Sequence, residues 1–346
     1  MKEKITPIIY ALLAAVFYAI NTPLSKLLLE NVPATFMAAF LYLGAGLGVG
    51  IMYAFYWRNE DKSERIKKKD MPYTVGMIVL DILAPIFLML GIKYGTASNA
   101  ALLGNFEIVA TTLIALVFFK ETVSRRLWLA VSLITLSSII LSFERSGSFH
   151  FSYGSLFVLL ATACWGLENN CTRSISDKCS YEIVVLKGVF SGGGAFVIAL
   201  LAGEKLPTLK YIALAMLLGF VAYGLSIFLY VRAQRGLGAA KTSAYYAVAP
   251  FIGAFLSFVM VGEELTWIYL AALLIMIIGT VFVVRDTMVR HHSHEHGHSF
   301  THTHDGTTHT HTVVHSHEHD HYTFKDRHGH HHSRRELEDA IGHAHV

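Results

Sequence analysis

The sequence predicts an all-α integral membrane protein with ten transmembrane helices, laid out as two inverted five-helix repeats. Three observations predict it. The 346 residues are 53% hydrophobic and 15% charged, where soluble domains carry roughly 25% charged residues. Apolar stretches long enough to cross a ~30 Å hydrocarbon layer as helix recur from residue 5 to residue 284. Segments of the two halves also align with each other without gaps.

The ten spans are read at 5–28, 34–57, 72–92, 96–119, 126–143, 153–172, 182–202, 209–230, 238–260 and 265–284. In the bilayer only a helix or a closed barrel satisfies its own backbone, and runs this long and apolar have no polar face to turn to water. The first span follows Lys2 and Lys4, as a signal peptide would. Its length and the nine spans after it predict a retained helix. Basic residues crowd one set of connections: RNEDKSERIKKKD (58–70), KETVSRR (120–126), TRSISDKCSYE (172–182), VRAQRG (231–236), then Arg285 and Arg290. The other set holds Lys93, Arg145, Lys205 and Lys210. The first set should face the cytoplasm, which places both termini there and makes this a multi-pass protein of the cell membrane. The net charge of +3 is too small to indicate a nucleic-acid partner. Cys164, Cys171 and Cys179 form no CxxC and fit reduced thiols.

The alignment sets GTASNAALLGNFEIVATTLIALVFFKE (95–121) over GAAKTSAYYAVAPFIGAFLSFVMVGEE (238–264) at an offset of 143, each closing on a glutamate, Glu121 or Glu264. LLAAVFYAINTPLSK (12–26) lies over LLATACWGLENNCTR (159–173) at an offset of 147. Five spans per half is an odd number, so the second half must insert upside down. The charges agree: KETVSRR is basic, whereas its counterpart GEELTW (262–267) has no basic residue. The expected division is 1–145, 146–285 and a polar tail, 286–346. Inverted repeats of this kind build alternating-access carriers with a site near the midplane.

The stretch YGLSIFLYVRAQRGLGAAKTSAYYAVAPFIGAFLSFVMVGEELT (223–266) resembles the second repeat of an EamA-type permease of the drug/metabolite transporter superfamily. The shared features are the loop Gly236–Leu237–Gly238–Ala239–Ala240, the mid-span Pro250, and Glu264. The resemblance covers about residues 7–284. It implies ten helices and a carrier of metabolites or amino acids, often an exporter. Where the family usually has a proline in the fourth span, this chain has Glu107. The tail lies outside the family pattern.

Ionisable groups inside a span are costly, so each is a candidate for function. Asp81 and Glu107 sit nine and eleven residues into the third and fourth spans, ~14–17 Å deep at 1.5 Å per residue. A tight turn joins these spans, so the two carboxylates are expected to approach and share a proton; otherwise each bonds a neighbouring hydroxyl or a carbonyl freed by Pro85. Glu168, Asn169 and Asn170 in the sixth span lie at the depth of Lys187 in the seventh, where a Glu168–Lys187 pair is expected. The repeat equivalent of Glu168 is Asn21. Tyr245 and Tyr246 of the ninth span are packing residues or would border an amphipathic ligand. Lys26 and Arg173, at span ends, are expected to snorkel. Cys164, Glu168 and Cys171 share a helix face at i, i+4 and i+7 and could hold a soft metal, although buried cysteines pack as small hydrophobes. GAGLGVG (44–50) and SGGGA (191–195) mark close helix contacts.

One histidine, His150, lies in the first 290 residues; nineteen follow. His291, His292, His294, His296, His298, His302, His304, His309, His311, His315, His317, His319 and His321 alternate with Ser, Thr, Asp and Glu. This composition predicts disorder. An exposed imidazole titrates near about 6.5 and is mostly neutral in cytosol, free to bind zinc, nickel or cobalt. Two functional classes follow. One is a secondary carrier of small organic solutes, with possible proton or ion coupling, no resident cofactor and a metal-binding tail. The other is a divalent-metal carrier with the tail as loading arm. No span contains histidine, the ligand such metals usually recruit, which favours the organic carrier. No GxxxxGK[ST] motif is present to drive transport with ATP, and no enzyme is expected.

Overall fold

The computed structural model describes residues 2–56, 65–119, 124–144, 150–175, 178–237, 242, 245–287, 289–304 and 307–322. Glu121, Arg145 and the loop positions 238–240 lie outside the described residues. The chain forms two compact units, Met1–Asp286 and Thr287–Val346. Both predicted repeats therefore share one body.

In that body the helices are α1 (Lys2–Ala19), α2 (Asn21–Leu28), α3 (Ala34–Tyr56), α4 (Met71–Tyr94), α5 (Ala97–Leu103), α6 (Phe106–Phe119) and α7 (Arg125–Ser142) in the first half. A two-residue strand pair, β1 (Phe143–Glu144) and β2 (His150–Phe151), joins the halves. The second half holds α8 (Tyr153–Arg173), α9 (Ser180–Leu186), α10 (Gly192–Leu201), α11 (Leu209–Gly219), α12 (Ser226–Leu237), α13 (Ala249–Val261) and α14 (Trp267–Thr287). Single π-helical turns, Lys187–Ser191 and Phe220–Leu225, join α9 to α10 and α11 to α12.

Among the described residues, seven helical stretches are long and apolar enough to cross a membrane: Ile5–Leu28, Ala34–Tyr56, Lys68–Tyr94, Arg125–Ser142, Ser180–Leu201, Leu209–Ala233 and Trp267–Asp286. The fourth, sixth and ninth predicted spans are not among them, each for a local reason. The fourth is broken at Gly104–Asn105, where Asn105 turns its amide onto the Leu102 carbonyl at 3.3 Å. The ninth is broken at Ala247–Val248, just before Pro250, which has no N–H to continue the ladder. These breaks fall 143 residues apart, the offset of the sequence alignment. The sixth, α8, is 21 residues long but ends in ENNCTR.

α3 is the central helix: 67% of its apolar window is buried, against 28% for the first and last stretches. It packs on α9, α10, α11 and both π turns. Glycine permits this. A Cβ on Gly44 would stand 2.0 Å from the Met216 carbonyl oxygen, and one on Gly46 2.7 Å from the Val189 nitrogen. Gly188 and Gly219 present the reciprocal contacts, to Gly46 and to Leu41. Gly193, within SGGGA, has open space instead. Elsewhere α4 packs along α8, and α1 along α12. Leu41, Met37 and Phe36 of α3 join Met89, Leu102 and Met276 in one continuous core.

Charged side chains serve helix ends. Glu204 accepts the Thr35 and Phe36 amides at 3.2 and 3.0 Å, capping α3. Glu263 accepts the Ala97 and Ser98 amides at 2.5 and 2.9 Å. The Lys26 ammonium donates to the Ile92 and Gly95 carbonyls at 2.7 and 2.6 Å, at the C-terminus of α4. Each charge opposes the helix-end partial charge it meets.

In the second unit the expected disorder meets a paired backbone. β3 (Val289–His304) runs antiparallel to β4 (Thr307–Tyr322). Histidine recurs at nearly every second position of this segment, the period of a strand, and the residues between the strands in sequence are Asp305 and Gly306, a favoured hairpin pair. The register sets His292 opposite His319, His294 opposite His317, His296 opposite His315, and His302 opposite His309. Directly opposed residues share a face.

Candidate functional site

Four breaks in helix regularity bring polar side chains into the bundle interior. Asn21 begins α2 after the interruption at Ile20. Glu107 lies in the first turn of α6, where the helix N-terminus favours a carboxylate. Lys187 opens one π turn and Tyr223 lies inside the other. Such turns cluster at functional sites because they re-aim side chains without ending the helix. Asp81 sits four residues before Pro85, so its own carbonyl also lacks the usual helical donor.

These groups form a connected network. The Lys187 ammonium lies 2.7 Å from Glu168 Oε1 and 3.2 Å from Asp81 Oδ2. Asp81 and Glu168 are 1% and 4% exposed at the side chain, Lys187 16%. Tyr42 donates its hydroxyl to Asp81 Oδ1 at 3.0 Å, and Thr172 donates to Glu168. Tyr42 packs on Tyr223 with ring centroids 5.3 Å apart. Asn21 donates to the Tyr223 hydroxyl at 3.2 Å and accepts from Ser25 at 3.1 Å. Next to this, Asn169 donates to Glu107 Oε1 at 2.5 Å and reaches Thr111 at 3.5 Å.

The expected Glu168–Lys187 pair is present, and the ammonium also holds Asp81. The expected pairing of Asp81 with Glu107 is not: Asp81 is held by Lys187 and Tyr42, Glu107 by Asn169. Adjacent positions on α8 point to different neighbours, so Glu168 and Asn169 serve two sides of one site. Asn170 turns to its own helix, donating to the Gly166 carbonyl at 2.8 Å. Tyr246 packs against Tyr18 and Tyr230, with ring centroids 6.0 and 5.0 Å apart; Tyr245 is half-buried and is not among the residues of this network. The cysteines do not build a metal site. Cys171 packs against Met77 and Ile175, Cys164 against the main core, and among the described residues no group of three metal-binding side chains forms.

Sequence reasoning missed Tyr18, Tyr42, Tyr223 and Tyr230. Tyr42 and Tyr223 each carry a hydroxyl into the middle of a span, which was the available signal. A separate pocket, lined in part by Tyr56, Ser180, Tyr181 and Arg232, lies where α3 ends and α9 begins. It contains none of the network's groups. The network is the candidate site, because charges the bilayer would otherwise reject converge there.

Comparison with known proteins bears on the whole helical unit. The chain is 24% identical over 291 residues to an uncharacterized transporter of Methanothermobacter thermautotrophicus, covering 78% of this chain and 83% of that one. It is 21% identical over 247 residues to the uncharacterized transporter YyaM of Bacillus subtilis, covering 68% and 80%. A solved crystal structure shares the fold with a TM-score of 0.60 at 15% identity, over 80% of this chain and 95% of its own. Residues 5–143 and 152–285 each match the EamA-like transporter family. Those two matches take in every side chain of the buried network, and the chain belongs to the EamA-like transporter family, as a multi-pass membrane transporter and not an enzyme.

Proposed function

We propose that the protein is a secondary carrier of small organic solutes that works by alternating access. The observation that carries this reading is the buried network itself, built from both halves. Asn21, Tyr42, Asp81 and Glu107 come from the first; Glu168, Asn169, Lys187, Tyr223 and Tyr246 come from the second. A site shared between halves is exposed to alternate sides when one half rocks against the other.

In this reading all ten predicted spans cross the bilayer, as two inverted repeats with cytoplasmic termini. Matching breaks in the fourth and ninth spans support it. So does the packing, since exchanging the halves turns the α4–α8 contact into the α12–α1 contact. Broken helices at a midplane site free backbone groups where a solute can meet them. Glu107 occupies the position of Pro250 in the repeat. Because Gly104 and Asn105 already break the first-half helix, that position is free to carry a carboxylate.

Glu107 faces an amide rather than a cation, so it is the carboxylate best placed to trade a proton or a positively charged group during the cycle. In proteoliposomes, solute flux should respond to an imposed pH gradient, and Glu107→Gln should abolish that response while the melting temperature stays near wild type. Flux with unchanged pH dependence in the variant would reduce Glu107 to a structural role.

A second assignment concerns the tail. We assign to the His291–His321 segment the binding of zinc, nickel or cobalt as an accessory to transport. The register favours it, because directly opposed histidines on one face of a hairpin offer paired nitrogen ligands. The absence of histidine from the spans separates this binding from the transport site.

A further inference from the structure

Two Gly-Glu pairs, Gly203–Glu204 and Gly262–Glu263, follow α10 and α13 in the same way. Both glycines have positive φ, 70° and 73°, the left-handed backbone that ends a helix and that a Cβ disfavours. Each following glutamate then reaches a helix of the other half. Glu204 meets the start of α3, its two oxygens 3.2 and 3.0 Å from the Thr35 and Phe36 amides. Glu263 meets the start of α5, its two oxygens 2.5 and 2.9 Å from the Ala97 and Ser98 amides. Both glutamates belong to the 152–285 match and all four amides to the 5–143 match.

The two contacts lie at one end of the bundle. Lys26 of α2 holds the Ile92 and Gly95 carbonyls just before α5, and α2 leads directly into α3. The opposite end of α3 is roughly 33 Å away at 1.5 Å per residue. The halves touch there too: Glu182 accepts the Ile66 amide at 3.0 Å, and Lys178 lies 3.8 Å from Asp70. Between α3, α9 and α12, however, that end holds a pocket, lined in part by Val49, Tyr56, Ser180, Val184 and Ile227. Val49 is about two turns from Tyr42, Val184 about one from Lys187, and Ile227 about one from Tyr223. The three helices that supply the network thus also line the pocket. Exchanging the halves turns the junction of α10 with the start of α3 into that of α3 with the start of α9, where the pocket lies.

We propose that Glu204 and Glu263 are the latch that closes the transport site at one end, and that this conformation is open toward the pocket at the other. This rests on the carrier reading above and names the residues that govern its alternation. Rocking one half against the other must break these bonds, because each joins a loop of the second half to a helix start of the first. Each carboxylate takes two neighbouring amides in charge-assisted bonds, so it holds or releases as a unit.

Full-length protein with Cys164, Cys171 and Cys179 replaced by alanine is labelled in detergent with a charged methanethiosulfonate at one of two reporters. Ser25→Cys stands one turn from Asn21 on the latch side, at a fully buried position. Ser180→Cys lines the pocket. The pocket reporter reacts at least about tenfold faster than the buried one. Glu204→Ala and Glu263→Ala together speed Ser25→Cys at least about tenfold, the scale set by losing hydrogen bonds to a charged group. The rate at Ser180→Cys stays level or falls. Replacing both glutamates by glutamine, which keeps one acceptor oxygen at each place, gives a Ser25→Cys rate between the two. An unchanged Ser25→Cys rate overturns the proposal. So does an equal rise at both reporters, the mark of a loosened fold rather than of one opened side. The expected labelling in a protein that moves no solute in proteoliposomes would uphold the latch and sink the carrier reading. Solute flux through a protein whose Ser25→Cys rate ignores both substitutions would do the reverse.

Discussion

Lys187 holds two carboxylates that would otherwise face each other in the bundle interior, at 2.7 and 3.2 Å. Removing one partner of a buried ion pair costs about 3–5 kcal/mol, because the charge left behind keeps its desolvation penalty. Lys187→Met should therefore lower the thermal midpoint of the detergent-solubilised protein strongly. Asp81→Asn should lower it less, since Glu168 still pairs with the ammonium and Tyr42 can still donate to the amide oxygen. Equal midpoints for wild type and Lys187→Met would mean that the triad does not carry its charges as drawn. Glu168 and Lys187 were legible in the sequence because each is an ionisable group within an apolar run. Tyr18 and Tyr230 were not: a tyrosine in a span is as often packing as site, and only its neighbours decide.

The same helices that hold the site are also the ones with irregular backbones. A straight α3 lined by glycine lets α10 and α11 approach to backbone contact, while the π turns on the facing helices turn Lys187 and Tyr223 inward. Close approach is required at particular glycines, which gives a contrast within one motif class. Gly44→Ala and Gly219→Ala place a methyl 2.0 Å from a carbonyl oxygen and should each destabilise the protein by about 1–3 kcal/mol. Gly193→Ala meets nothing within 4 Å and should melt with wild type. Thermal melts of the three purified variants check this. Equal behaviour of all three would remove the helix seam as the reason for these glycines. The two motifs were visible from sequence as small-residue stretches. Which glycine meets a backbone could not be read there, because that depends on the rotation of each helix against its neighbour.

At the scale of the molecule, a helical unit and a histidine-rich unit share one chain. We propose from the charge asymmetry between connections that the tail is cytoplasmic, and from its many histidines that it binds metal. One measurement addresses both. Right-side-out membrane vesicles carrying the full-length protein should bind added nickel only after permeabilisation, in several equivalents per chain as expected of interchangeable imidazole pairs. Truncation after Arg290 should abolish that binding and leave solute flux nearly intact. Nickel bound equally by sealed vesicles would overturn the orientation. Permeabilised full-length protein that binds none would overturn the tail assignment.

Composition and hydropathy by themselves determined that this chain lives in a bilayer, because apolar runs of this length have no other stable environment. The internal alignment matched the fourth and ninth spans but read both as continuous; their breaks at Gly104–Asn105 and Ala247–Val248 came only with the structure. The tertiary structure alone decided how the carboxylates divide. Asp81 and Glu107 lie at similar predicted depth on consecutive spans, and depth along a helix follows from residue count. Direction around the helix follows from packing, so α8 and the Lys187 turn drew Asp81 to one side while Asn169 held Glu107 on the other.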